Sequence, residues 1–224
     1  MANHTERMVT LLGAFRRERN GLVADTMHYD GRRYGLNYGV SLPTVRRIVR
    51  AEERDHEFAR FLYGQQVREL QLAALHLADP NRLADPEEAA FWLLGLQNSE
   101  LAEEAAFALL SRVETLPQLL LSMQANALSW ADYSLWMAAG RAVALVDSEV
   151  IAQTFPMLRA LANAPQPDAA LLRLMTQAAV FRCEQAVLRR AVTQEKMTEA
   201  LSALGLAAWE RTLVEELAWR IEGA

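Results

Sequence analysis

Four charged residues recur at near-regular intervals along the chain, most of them inside apolar stretches. Arg68, Glu104, Arg141 and Arg182 are separated by 36, 37 and 41 residues. Arg141 is the only charge between Asp132 and Asp147, and Arg182 ends an uncharged run from Leu174 to Phe181. An arginine on a helix that is apolar on every side is not an ordinary solvated residue. Either it is buried against an acid, such as Glu103 or Glu104, or it faces a groove that needs a cation. Both readings stand for each arginine. In the second, a row of guanidiniums suits phosphate, because the planar fork binds two oxygens at once. Glu104 is then the only carboxylate in the row, placed to stabilise a cation in a substrate. Its plainer role, shared with Glu100 and Glu103, is to complement a helix N-terminus.

A second basic set lies nearer the start. Arg16, Arg17 and Arg19 are followed by Arg32 and Arg33, then by Arg46, Arg47 and Arg50, with Tyr34 and Tyr38 between them. Arg46 and Arg50 share a helix face at i, i+4. Basic residues interleaved with aromatics and glycine can grip a phosphate backbone. A solvated face with Glu18, Glu52 and Glu53 as partners explains them equally well. Other chemistry is poorly served. His4, His28, His56 and His76 have no metal-ligand spacing, and Cys183 is the only cysteine, so no metal site is expected. No phosphate-binding glycine loop or nucleophile elbow is present, and no organic cofactor is expected.

The elements that must position these residues are helices. Ala (38) and Leu (35) make up almost a third of the 224 residues, a helix-former composition. No stretch alternates with period two. The patterning predicts helices over about 5–19, 22–29, 42–53, 55–63, 66–78, 86–97, 100–113, 116–126, 130–146, 148–162, 168–191, 194–204 and 208–222. Asp85-Pro86-Glu87-Glu88 marks one start, with an N-cap, a first-turn proline and two acids. Ser129 and Asp132 form a capping box with Asp in place of Glu. Residues 30–41 (DGRRYGLNYGVS) are the longest irregular stretch.

Short helices joined by short loops, with one charged landmark every ~40 residues, match stacked helix pairs of the HEAT or armadillo kind. The expected fold is all-α: a single domain over 1–224, built as a right-handed α-solenoid of HEAT-like pairs. No apolar run is long enough to span a membrane, and a cytoplasmic protein is expected. The net charge of −5 argues at first against nucleic acid, yet residues 1–60 carry +3 and residues 61–224 carry −8. A total says little about a partner that meets one face.

The run Tyr34-Gly35-Leu36-Asn37-Tyr38-Gly39-Val40-Ser41-Leu42-Pro43-Thr44-Val45-Arg46-Arg47-Ile48 resembles the N-terminal landmark of the DNA alkylation repair family, the HEAT-like-repeat DNA glycosylases. Val67-Arg68-Glu69-Leu70-Gln71-Leu72-Ala73-Ala74-Leu75 resembles the next landmark. The likeness is good over 20–80 and continues to about 190 through helix spacing. It implies a curved solenoid that binds double-stranded DNA in its concave face and excises alkylated purines. Carried over by spacing, Glu104 falls at the family's acid, which stabilises the sugar cation and positions water. Arg141 falls at its DNA-contacting arginine, and Arg182 lies near another. Arg68 completes the row, and Arg46, Arg47 and Arg50 add backbone grip. The family's two aromatic positions have no counterpart, falling near Glu100 and near Ala178–Ala179. Two rivals follow from the residues: a non-enzymatic helical scaffold for a protein partner, and a structure-specific DNA binder without catalysis.

Overall fold

The computed structural model describes residues 4–29, 34–121 and 129–142, and seven helical positions between 172 and 183. The expected helices over 148–162, 194–204 and 208–222 lie outside the described residues. Among these the chain is helical throughout, without a strand. Packing divides the chain into two compact units, Met1–Val113 and Glu114–Ala224.

In the first unit, α1 (His4–Arg17) buries Leu11 and Phe15, one turn apart, and is followed by α2 (Gly21–Tyr29). The helix α3 (Leu42–Val49) opens on Ser41, whose side chain accepts from the Thr44 amide, and buries Val45 and Val49. Asp55 caps α4 (His56–Tyr63) in the same way through the Phe58 amide. The central helix is α5 (Arg68–Leu77), in which every residue except His76 is buried. It packs on α1, α3 and α4. A 3-10 turn over Pro80–Ala84 leads to α6 (Pro86–Leu94), capped by Asp85 as expected. Asn98 caps α7 (Ser99–Ala108), which lies against α5 and ends in a 3-10 turn over Leu110–Arg112. In the second unit, α8 (Leu116–Leu121) packs on α9 (Trp130–Arg141). The predicted capping box of α9 is present: Ser129 accepts from the Asp132 amide and Asp132 from the Ser129 amide.

Several boundaries differ from the sequence pattern: α3 ends at Val49 and α6 at Leu94, short of residues 53 and 97, and two further differences have a visible physical reason. The irregular segment does not float above the helices. The Leu36 amide donates to the Gln66 carbonyl at 2.7 Å, and the Arg68 amide donates to the Leu36 carbonyl at 2.9 Å. This parallel bridge holds Val67 extended, so α5 starts at Arg68 and not at residue 66. The helix over 100–113 breaks because Leu109 leaves helical geometry at φ −122°, ψ −66°.

The bridge is locked from inside by Arg68, which is 0% exposed. Its Nε and Nη2 donate to the two oxygens of Glu100 at 2.7 and 2.5 Å, and its Nη1 to the Val40 carbonyl and Glu69. Glu69 in turn accepts from the Tyr38 and Val40 amides, and the Tyr34 hydroxyl donates to Glu100 at 2.7 Å. Burial works against the Arg68 charge, but Glu100 and Glu69 hold its pKa above the usual value. Burial, and then Glu100, raise that of Tyr34. A second buried carboxylate, Glu88, gathers Arg60, His56 and Trp92 Nε1 and ties α4 to α6. The Asp79 amide donates to His56 Nδ1, so the ring proton sits on Nε2 and faces Glu88.

Gly39 has φ +68°, and a Cβ there would lie 1.9 Å from the Asn20 carbonyl oxygen. Replacing Gly39 with Ala is therefore expected to cost more than ~1 kcal/mol. Gly64→Ala, where φ is −69° and the added carbon meets nothing closer than 3.8 Å, should stay within ~0.5 kcal/mol of wild type. Arg68→Met leaves Glu69 and Glu100 buried without their cation and should cost ~3–5 kcal/mol. Urea denaturation followed by circular dichroism checks all three. An Arg68→Met protein with the wild-type midpoint would show that the pair does not hold the unit together.

Candidate nucleic-acid interface

The basic helix α3 turns one face to the ends of α5 and α7. Arg46 reaches across to Glu104 on α7, with Nε to Oε1 at 2.9 Å and Nη2 to Oε2 at 2.6 Å. His76, on the last turn of α5, bonds the same Oε1 through Nε2 at 2.5 Å. The Arg46 guanidinium also lies over the Phe107 ring, 4.4 Å from its centre. Glu104 is 2% exposed. Burial alone would push its pKa up, but the hydrogen bonds from His76 and Arg46, with their charges, outweigh it and hold the value at about 2. The hydrogen bond to Glu104 likewise raises the pKa of Arg46. Glu104 is thus an ionised carboxylate with both oxygens hydrogen-bonded.

Beside this pair opens a cleft of about 300 Å³ lined by Arg46, Arg50, Arg54, Arg112, His76 and Phe107, with Val49, Leu77 and Glu52. Arg50, Arg54 and Arg112 are exposed. Among the described residues none of the three has an acidic partner, while Glu52 lies 3.5 Å from Arg7. The cleft is cationic. Its one imidazole, His76, turns Nε2 to Glu104. No group of His, Cys, Asp or Glu among the described residues is arranged to hold a metal.

The second unit has a cleft of its own, of about 180 Å³, lined by Arg141, Arg182, Trp136, Met137, Gly140 and Ala179. Arg141 is the last residue of α9, and both arginines are exposed. Arg182 Nη1 lies 3.9 Å from Met137 Sδ. Trp136 in the cleft lining is 0% exposed.

The residues singled out from the sequence therefore divide. Arg141 and Arg182, 41 residues apart, come together on one cleft. Arg46 and Arg50 share another. Arg47 points elsewhere and pairs with Glu18 on the surface at 2.9 Å. Arg68 is a correction: it was expected to hold phosphate, but the core encloses it and Glu100, Glu69 and Val40 consume its donors. Glu104 is buried, whereas Glu103 beside it is exposed. Arg54, His76, Phe107 and Arg112 were missed. One signal was legible: Arg46, Arg50 and Arg54 repeat every four residues. Phe107 was overlooked because an aromatic was sought before the acid, and it stands three residues after.

A family model described as DNA alkylation repair enzyme matches residues 13–166. The match spans the whole first cleft and Arg141, and stops short of Arg182. No curated protein and no solved structure matches the chain. Among the described residues no helix is long and apolar enough to cross a membrane. The match supports a function related to DNA repair, with DNA as the partner it suggests. By that match, over more than half of its length, the chain belongs to the DNA alkylation repair enzyme family.

Proposed function

We propose that the protein binds duplex DNA along a solenoid of HEAT-like helix pairs and acts on alkylated purines. The observation that carries the binding half is the pair of exposed guanidiniums, Arg141 and Arg182, on one cleft of the second unit. A planar guanidinium fork binds two phosphate oxygens at once, which a lone ammonium group does not. The solenoid reading is supported in the first unit by α3, α5 and α7. These alternate helices adjoin, α5 touching both others, as stacked pairs require.

The catalytic half rests on Glu104. Release of a cationic purine breaks its bond to the sugar C1′. The electron pair leaves with the base, which departs neutral, while water forms the new bond to C1′ and loses a proton to solvent. A carboxylate that stays ionised stabilises the developing sugar cation. Glu104 meets the charge requirement, with a pKa held at about 2. Its Oε1 is taken by Arg46 and His76, its Oε2 binds Arg46, and at 2% exposure the carboxylate has little access to a substrate. The geometry thus favours binding over cleavage. The acidic balance of residues 61–224, −8, favours a second reading, a helical scaffold for a protein partner.

Fluorescence anisotropy with a labelled duplex, at several salt concentrations, tests the binding half. The double variant Arg141→Ala/Arg182→Ala should bind about tenfold more weakly at low salt, with a salt slope lower by ~2. A wild-type chain that ignores duplex at low salt would sink the DNA reading and leave the scaffold. Release of 7-methylguanine from methylated DNA tests the catalytic half. Release by wild type and its loss in Glu104→Gln at duplex concentrations that saturate both proteins would place Glu104 in the chemistry, and binding without release would leave a DNA binder.

A further inference from the structure

We infer that the cleft bounded by α3, the C-terminal ends of α5 and α7, and the turn at Arg112 is a binding site for a phosphate ester. In it, Glu104 and His76 hold Arg46 in place and do not touch the ligand. The physiological source of that ester, a nucleic-acid backbone, rests on the DNA reading above. The site itself stands on different residues.

The charge pattern of the first unit is the starting point. Five arginines elsewhere in this unit are matched to acids: Arg7 to Asp55, Arg47 to Glu18, Arg60 to Glu88, Arg68 to Glu100 and Arg82 to Glu57, while Arg16, Arg17 and Arg19 lie exposed at and just after the end of α1 without an ion pair among the described residues. What sets the cleft apart is convergence. Arg50, Arg54 and Arg112 reach one cavity with no acidic partner among the described residues. Like charges gathered on one concavity repel, and low-dielectric walls strengthen the potential they create. The negative end of a helix accounts for one such residue, Arg50 at the C-cap of α3. It does not account for Arg54, which lies beyond that helix. An anion in the cleft does.

The two carboxylates at the cleft do not cancel this potential: Glu52 in the lining lies 3.5 Å from Arg7. Glu104 is buried and spends its charge on Arg46 and His76. The pairing also fixes how Arg46 faces outward. Its Nε and Nη2 are used, Phe107 covers one face of the guanidinium, and among the described residues Nη1 has no partner. A long side chain that would otherwise sample many rotamers is thereby held with one N–H edge at the cleft, so little entropy is lost when a ligand binds. Glu104 is in this sense a positioning residue.

Size selects the class of anion. A cavity of about 300 Å³ is several times the volume of a single phosphate group and reaches the lower end of organic-ligand sites. It admits a phosphate with its attached sugar. Phe107, 37% exposed, offers an apolar edge for that sugar or its base. Guanidiniums in number, with no metal-binding cluster, suit phosphate oxygens and no cation.

The test uses the full chain and the triple variant Arg50→Ala/Arg54→Ala/Arg112→Ala, whose changes are all on exposed side chains. Far-UV circular dichroism confirms that it folds. With labelled duplex DNA, the triple variant should bind at least ~10-fold more weakly, with a salt slope lower by ~2–3. Wild-type affinity and slope in that variant, beside a weakened Arg141→Ala/Arg182→Ala, would overturn the cleft and leave the DNA reading intact. If wild type binds no duplex, calorimetry with inorganic pyrophosphate decides: uptake by wild type that the triple variant lacks supports the site, and no uptake overturns it. The positioning role is read from a double-mutant cycle on the same probe. Glu104→Gln should weaken binding in wild type and change nothing in Arg46→Ala. Independent, additive losses would overturn that role.

Discussion

Arg68 is a full positive charge with no exposure to water, and the first unit is arranged around keeping it satisfied. Glu100 binds it from α7 through two parallel hydrogen bonds, and Glu69 and the Val40 carbonyl complete its shell. Taking such an ion out of water costs several kcal/mol unless every partner is in place. The partners come from three places: the irregular segment before α3, the start of α5 and the start of α7. None can shift without stranding the others. That requirement fixes where α5 begins, why the segment from Tyr34 to Ser41 runs against it, and which way α7 enters. The cationic cleft depends on the same frame, because α3, α5 and α7 are the helices that supply its walls.

The two buried carboxylates of α7, Glu100 and Glu104, illustrate how one short helix serves two ends. Glu100, in its first turn, faces Arg68 in the core. Glu104, one turn later, faces Arg46 and His76 at the edge of the cleft. Their four-residue spacing puts both on one stripe of the helix, which aligns the buried ion pair with the outer one. Positioning Arg46 is therefore a consequence of how α7 is docked, and not an addition to it.

Helix starts were legible in the sequence because capping is local. Asp85-Pro86 and the Ser129–Asp132 box need only their own four residues to act. The choice between a buried arginine and a groove-facing one was not legible. Arg68 and Arg141 both precede largely apolar stretches of sequence, yet Arg68 takes the core and Arg141 the surface. The deciding partner of Arg68 is Glu100, 32 residues away, and no local pattern names it. Arg46 was read as a contact to phosphate, and its partner Glu104 lies 58 residues on. The cleft was half visible in the repeat of Arg46, Arg50 and Arg54. Arg112 was not, because a 3-10 turn at the end of α7 brings it there.

The backbone bridge between Leu36 and Val67 has a consequence for motion. It joins a glycine-rich loop to the most buried helix of the unit by two amide hydrogen bonds. Loops of this composition normally exchange their amide protons by small, independent openings. Here the Leu36 and Arg68 amides are tied to a buried ion pair that also joins α5 to α7. Their exchange is therefore expected to follow the opening of that pair, and the loop to share the protection of the core it borders.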